Sequence, residues 1–206
     1  MSLEVMLDLE TLSIKANAAI ISIGAVKFDP YDKIGQLGDG NAPEYKPFYM
    51  TIDMYDVVSN WKFHVDGQTV KWWMSDKVSP EARAAVLLDA QPLEEVLQKF
   101  WQWYGPESMP TWGNGTNFDN AILRNAYEEV ASVCPFKFYH DRCFRTMKAV
   151  LHDVPYVKPT LAHHALSDAE AQAIHLQKLY PRLIHLFHSQ NRGLFLLLLL
   201  QPIKQY

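Results

Sequence analysis

Cysteine is scarce in this chain: Cys134 and Cys143 are the two among 206 residues. They show no metal-ligand spacing and no framework of pairs, which excludes a disulfide-stapled fold and points to a reducing compartment. Charge of one sign is lacking too, with 19 Lys and Arg against 23 Asp and Glu and a net charge of −4. No strongly basic body announces nucleic acid. A nuclease still fits, because metal offsets carboxylates locally while basic groups cluster elsewhere. A membrane-spanning run is absent as well. The apolar stretch LFLLLLL at 194–200 is far shorter than the ~20 residues a bilayer requires. It reads as a C-terminal segment packed on the core or as an apolar contact in a homodimer. No signal-peptide pattern precedes the first strand, so a cytoplasmic chain without a membrane partner is expected.

What is there is a core. At 49% hydrophobic and 20% charged, residues 1–206 read as one globular domain, its motifs within about 3–180 and a C-terminal extension over 181–206. Within VMLDLET (5–11), side-chain alternation puts Val5, Leu7 and Leu9 on one face and Met6, Asp8 and Glu10 on the other. Acids two apart on a strand lie on the order of 6–7 Å apart at the backbone, close enough to reach one metal ion. Such neighbours repel unless a cation or water relieves them. A second strand follows in AAIISIGAVKFDP (18–30), where Gly24 marks a bulge or a close approach, and a third in FYMTID (48–53). Helical spacing takes over from 66 to 104, where Ser79 and Pro80 read as the N-cap and first position of one helix. MPTWGNG (109–115) supplies a short strand and a glycine turn, and helices dominate beyond it. Three strands and then a strand among helices give an α/β fold with a mixed sheet, antiparallel at its start.

Two further acids stand at helix starts. Thr116 and Asp119 have the spacing of a capping box, so Asp119 reads either as a cap or as a metal ligand beside the Gly113 and Gly115 turn. Ser167 and Glu170 form a second box, which puts Asp168 in a first helical turn, where the helix dipole favours its charge. His163 and His164 lie on the loop entering that helix.

LDLET, NFDNAIL and HHALSDAEA, in that order, resemble the three motifs of the DEDDh 3′–5′ exonuclease superfamily. The likeness runs over roughly residues 3–180 and is similar in detail to a phage and prophage exonuclease VIII-like subgroup. One departure is His164, where Asn often follows the motif histidine. The resemblance implies a ribonuclease-H-like fold and two Mg²⁺ (or Mn²⁺) ions about 4 Å apart. It implies that Asp8 bridges them, that Glu10 and Asp168 complete the nucleophile side, and that Asp119 serves the leaving-group side. His163 would be the general base, a role its unperturbed pKa near 6.5 suits.

Thr11 and Leu12 occupy the positions that meet the 3′-terminal nucleotide in the superfamily; the resemblance implies that Leu12 would wedge against the base and Phe118 would support the sugar. Arg142, Arg145 and Lys148 form a basic stretch that reads as a phosphate contact or as a solvated helix face. Trp61, Trp72, Trp73, Trp101 and Trp103 read mostly as core, with one lining the groove. The expected activity is 3′–5′ exonucleolytic cleavage of single-stranded DNA. The alternatives are RNA as substrate, a catalytically silent binding or adaptor module, and an endonuclease on the same fold.

Overall fold

The computed structural model describes residues 3–37 and 46–199, with side chains as far as Leu186. Five strands form one mixed sheet in the order β3-β2-β1-β4-β5. The central strand β1 (Glu4–Thr11) pairs antiparallel with β2 (Ile20–Phe28), and β2 pairs antiparallel with β3 (Phe48–Thr51). On its other side β1 pairs in parallel with β4 (Thr111–Gly113), which pairs in parallel with β5 (Asp141–Cys143). The meander read from the sequence is therefore present. Strand β5 is not in that reading, which placed Cys143 within a helix; three residues are too few to display a period of two.

Helices α1 (Gly67–Trp73), α2 (Pro80–Ala85) and α3 (Leu93–Tyr104) precede β4, and α4 (Asp119–Glu129), α5 (Phe144–Val150) and α6 (Ala165–Leu199) follow it. Helix α2 starts as expected, with Ser79 Oγ accepting the Ala82 N–H and Pro80 at the first position. The alternation in β1 sorts the core into two layers. Val5, Leu7 and Leu9 pack with Val96, Phe100, Ile122 and Leu123 on one side of the sheet. Met6 joins Val26, Phe28, Trp112 and Phe144 on the other, beneath Ala169, Ala173 and Leu176 of α6. Asp8 and Glu10 continue the Met6 row past the apolar layer.

Two glycines let helix starts land on the sheet. A Cβ on Gly24 would meet the Ala165 carbonyl carbon at 2.2 Å, so α6 begins against the bare backbone of β2. Gly24 is thus a close approach and not a bulge, because the β1–β2 register runs unbroken past Asp8↔Gly24 and shifts only between Glu10 and Thr11. On the opposite flank of β1, a Cβ on Gly113 would meet Asn120 Oδ1 at 2.3 Å, and α4 starts there. Both strands neighbour β1, so the two helix starts converge on its C-terminal end.

Helix α6 runs through Pro181 without a break. No helix among the described residues is long and apolar enough to cross a membrane. The 194–200 run continues the α6 backbone as far as Leu199, but its side chains and residue 200 lie outside the described residues, as does any contact they make.

Candidate active site

Strand β1 and the first turn of α6 bring three carboxylates together. One oxygen each from Asp8, Glu10 and Asp168 lie within 4.8 Å of one another. An all-oxygen set at that spacing fits a hard divalent cation such as Mg²⁺ or Mn²⁺. Asp168 Oδ2 also accepts the His163 N–H at 2.7 Å, which closes the turn into the helix. The expected capping box is displaced: α6 begins at Ala165, before Ser167, and the Asp168 N–H reaches the His164 carbonyl at 3.0 Å. One turn beyond Asp168, Gln172 Nε2 donates to Asp8 Oδ1 at 2.8 Å. Gln172 is 2% exposed, and sequence reasoning missed it because an isolated glutamine on a helix carries no signal.

Asp119 arrives from the other flank. Helix α4 starts at Asp119 itself and Thr116 makes no side-chain cap, so the capping-box reading does not hold. The Asp119 carboxylate instead accepts the Leu9 N–H at 3.2 Å and the Asn114 N–H at 2.8 Å. Leu9 lies between Asp8 and Glu10, so this bond pins Asp119 against the acid-bearing end of β1. The glycine turn makes it possible: Gly115 has φ +126°, and the chain doubles back to present the Asn114 amide.

Burial and mutual repulsion dominate the electrostatics. Burial, then the charges of Asp119, Glu10 and Asp168, raise the Asp8 carboxyl well above its ordinary range, against the pull of the Gln172 amide. Glu10 is pushed up to about 8 by burial and by Asp168 and Asp119. Asp119 is pushed up to about 7 by burial, with the Leu9 and Asn114 amides and Arg145 opposing. Asp168 is raised by burial against the His163 N–H. Four acids held this way favour protons or a cation over bare negative charge.

The adjacent histidines point to different walls. His163 has φ +63°, a left-handed conformation rare for a non-glycine residue, and its ring meets Trp72 edge-to-face with centroids 4.8 Å apart. His164 stacks on Tyr49 at 4.2 Å, and burial lowers its pKa. Beside Glu10 opens a cavity of about 420 Å³, walled by Thr11, Ile14, Trp72, Trp73 and Phe118, with Asp66 and Gln68 at its edge. Thr11 and Phe118, two of the expected substrate contacts, both line this cavity. Leu12 does not: at 9% exposed it packs in the core, and Ile14, at 79% exposed, is the aliphatic residue on the cavity wall. Family resemblance pointed to Leu12; the register shift at Glu10/Thr11 interrupts strict alternation just before it, where Leu12 turns to the core.

Of the basic residues, Arg145 stands beside the acids, donating to the Asn114 carbonyl at 2.7 Å and bearing on Asp119. Arg142 donates to the Tyr139 and Asp141 carbonyls and bears on Glu4, at the opposite end of β1. Lys148 sits over the Phe144 and Tyr156 rings. Among the tryptophans, Trp73 is buried, Trp61, Trp72 and Trp103 pack partly buried against the same core, and Trp101 is exposed on a separate groove between α3 and the end of α4.

Solved structures share this fold. Zinc-bound E. coli exonuclease I in complex with single-stranded DNA superposes with a TM-score of 0.62 at 15% identity, over 92% of this chain and 42% of that one. The same enzyme with a dT13 oligonucleotide gives 0.59 at 15%, over 92% and 43%. Cell-death related nuclease 4 (CRN-4) gives 0.51 at 16%, over 88% and 64%. The chain spans less than half the length of these exonuclease I chains. No curated protein matches the sequence. The fold is the ribonuclease-H-like fold of exonuclease I. The chain belongs to the Rv2179c-like 3′–5′ exoribonuclease domain family, whose model matches residues 3–180. The narrower likeness to phage and prophage exonuclease VIII-like proteins finds no support in these matches.

Proposed function

We propose that the chain hydrolyses the 3′-terminal phosphodiester of single-stranded nucleic acid, with two Mg²⁺ or Mn²⁺ ions at the acid cluster. The observation that carries this reading is the convergence of Asp8, Glu10 and Asp168 oxygens within 4.8 Å beside a cavity of about 420 Å³, large enough for one nucleoside. Asp8, Glu10 and Asp168 would hold the cations, with Asp119, pinned to the Leu9 amide, as a further ligand. When bound, the cations neutralise the phosphate oxygens and favour attack by water. The remaining roles belong to the protein. His163, beside Asp168, takes the proton of the attacking water. Thr11 and Phe118 wall the terminal nucleoside, and Arg145, exposed beside Asn114, meets a phosphate of the strand.

Family membership favours RNA over the DNA expected from the sequence, while the exonuclease I complexes with single-stranded DNA support the second reading. Matched DNA and RNA oligomers with a 5′ label test both. The expected result is a ladder shortening from the 3′ end, faster on RNA, and no cleavage of a circular single strand. Cleavage of the circle would establish an endonuclease, and no turnover on either oligomer would favour a silent binding module. Locating the protein in cell fractions tests the expected cytoplasmic site.

A further inference from the structure

Trp72 belongs to two structures at once. Its indole walls the cavity beside Glu10 and Thr11, and the same indole receives the His163 imidazole edge-to-face, at 4.8 Å and 88°. Among the described residues no hydrogen bond holds a His163 ring nitrogen, so Trp72 is the ring's one aromatic support. The backbone around it is constrained. His163 is held at φ +63° by its N–H bond to Asp168, and the next ring is clamped on Tyr49. Trp72 is anchored in turn: it meets Trp73 edge-to-face at 5.5 Å, and Trp73 Nε1 donates to the Thr11 carbonyl at 3.0 Å. A continuous path thus runs from the end of β1, through Trp73 and Trp72, to His163.

We propose that Trp72 is a positioning residue that couples occupation of the nucleoside cavity to the placement of the His163 imidazole. A base entering the cavity packs on the indole that seats the imidazole, so the ring is aligned beside Asp168 when a terminal nucleotide is in place and less well when it is not. This rests on the reading of His163 as base and of the cavity as the nucleoside site. A residue shared by both sites makes the proton acceptor sensitive to the substrate, and an aromatic seat does so without a polar group that would compete for the proton.

The test is a double-mutant cycle in the full chain, with kcat and KM measured separately on a single-stranded oligomer. Trp72→Leu keeps an apolar wall and removes the aromatic seat; Trp72→Phe restores a ring. Trp72→Leu is expected to lower kcat about 10- to 100-fold, part of the roughly 10²–10⁴-fold worth of a general base. Trp72→Phe is expected to recover most of that loss. In a His163→Ala background, Trp72→Leu should change kcat by less than about twofold. An equal loss in both backgrounds, or a change confined to KM, overturns the coupling. If His163→Ala itself leaves kcat unchanged, the base assignment fails and takes the coupling with it, a result distinct from the first. A second measurement needs no variant to fold: the His163 ring proton signals should shift as each of the four ribonucleoside 5′-monophosphates saturates the wild-type protein. No shift at saturation overturns the proposal, and no binding at all overturns the cavity reading beneath it.

Discussion

Burial raises the Asp8 carboxyl, and the charges of Asp119, Glu10 and Asp168 raise it further. Replacing it with Asn removes one buried charge and almost no volume. Asp8→Asn should therefore abolish cleavage, erase the rise in melting temperature that Mg²⁺ or Mn²⁺ gives, and leave the metal-free fold as stable as before or more so. Wild-type turnover in a clean Asp8→Asn preparation would sink the assignment. Gln172 acts on the same carboxylate by donating to Oδ1. Losing a group that orients a ligand typically costs about 10- to 100-fold in metal affinity. Gln172→Leu should weaken metal binding by about that factor in a thermal-shift titration; unchanged affinity would show that the bond orients nothing. The two histidines separate in the same way. His163→Ala should lower the rate by roughly 10²–10⁴-fold with metal affinity nearly unchanged and some recovery at higher pH, whereas His164→Ala, which loses a stack on Tyr49, should cost under about tenfold. A dead His164→Ala beside an active His163→Ala would reverse their roles.

The elements succeed or fail by what they let approach. Gly24 lies on β2, opposite Asp8, and its missing side chain is the space in which α6 begins. The atom a Cβ would strike is backbone, which cannot swing aside as a flexible side chain does. Gly24→Ala should push α6 off the sheet, cost about 1–3 kcal/mol in denaturant unfolding, and carry Asp168 away from Asp8 and Glu10. Metal affinity should fall together with stability; a destabilised variant that binds metal normally would show that α6 and the site move independently. The β1 pattern was legible because Val5, Leu7 and Leu9 alternate with Met6, Asp8 and Glu10, each set on its own face. Asp119 was legible as an acid at a helix start but not as what it does there, since its partners, the Leu9 and Asn114 amides, come from β1 and from a loop.

Across the whole molecule, the acid cluster sets the direction of the pH response. Glu10 is raised to about 8 and Asp119 to about 7, and Asp8 and Asp168 are raised as well. Between the ordinary carboxylate range near pH 4 and about pH 8, the folded chain therefore binds more protons than the unfolded chain. With these groups dominant, metal-free stability falls as pH rises through that window. In chelator, the melting temperature should be lower at pH 8 than at pH 5.5. Added Mg²⁺ or Mn²⁺ should raise it more at pH 8, because at pH 5.5 the cation must displace protons. Calorimetry in buffers of different ionisation enthalpy should register proton release on binding near neutral pH. A metal-free protein more stable at pH 8 than at pH 5.5 would mean that the four acids are not clustered as described.

The sequence by itself determined the central strand, its division into an apolar and an acidic face, the α/β class, and the order of three acid-bearing motifs. These are local matters: alternation, helix starts and spacing are written in consecutive residues and need no partner to be read. The tertiary structure decided the rest. It brought Asp168 to Asp8 across Gly24 and set Asp119 on the amides of Leu9 and Asn114. It also buried Leu12, exposed Ile14 in its place, and turned His163 toward Trp72 and His164 toward Tyr49. Each depends on contacts between residues far apart in the chain or on a one-residue shift at a bulge. Periodicity carries no record of either, because a pattern along one strand does not say which backbone will lie against it.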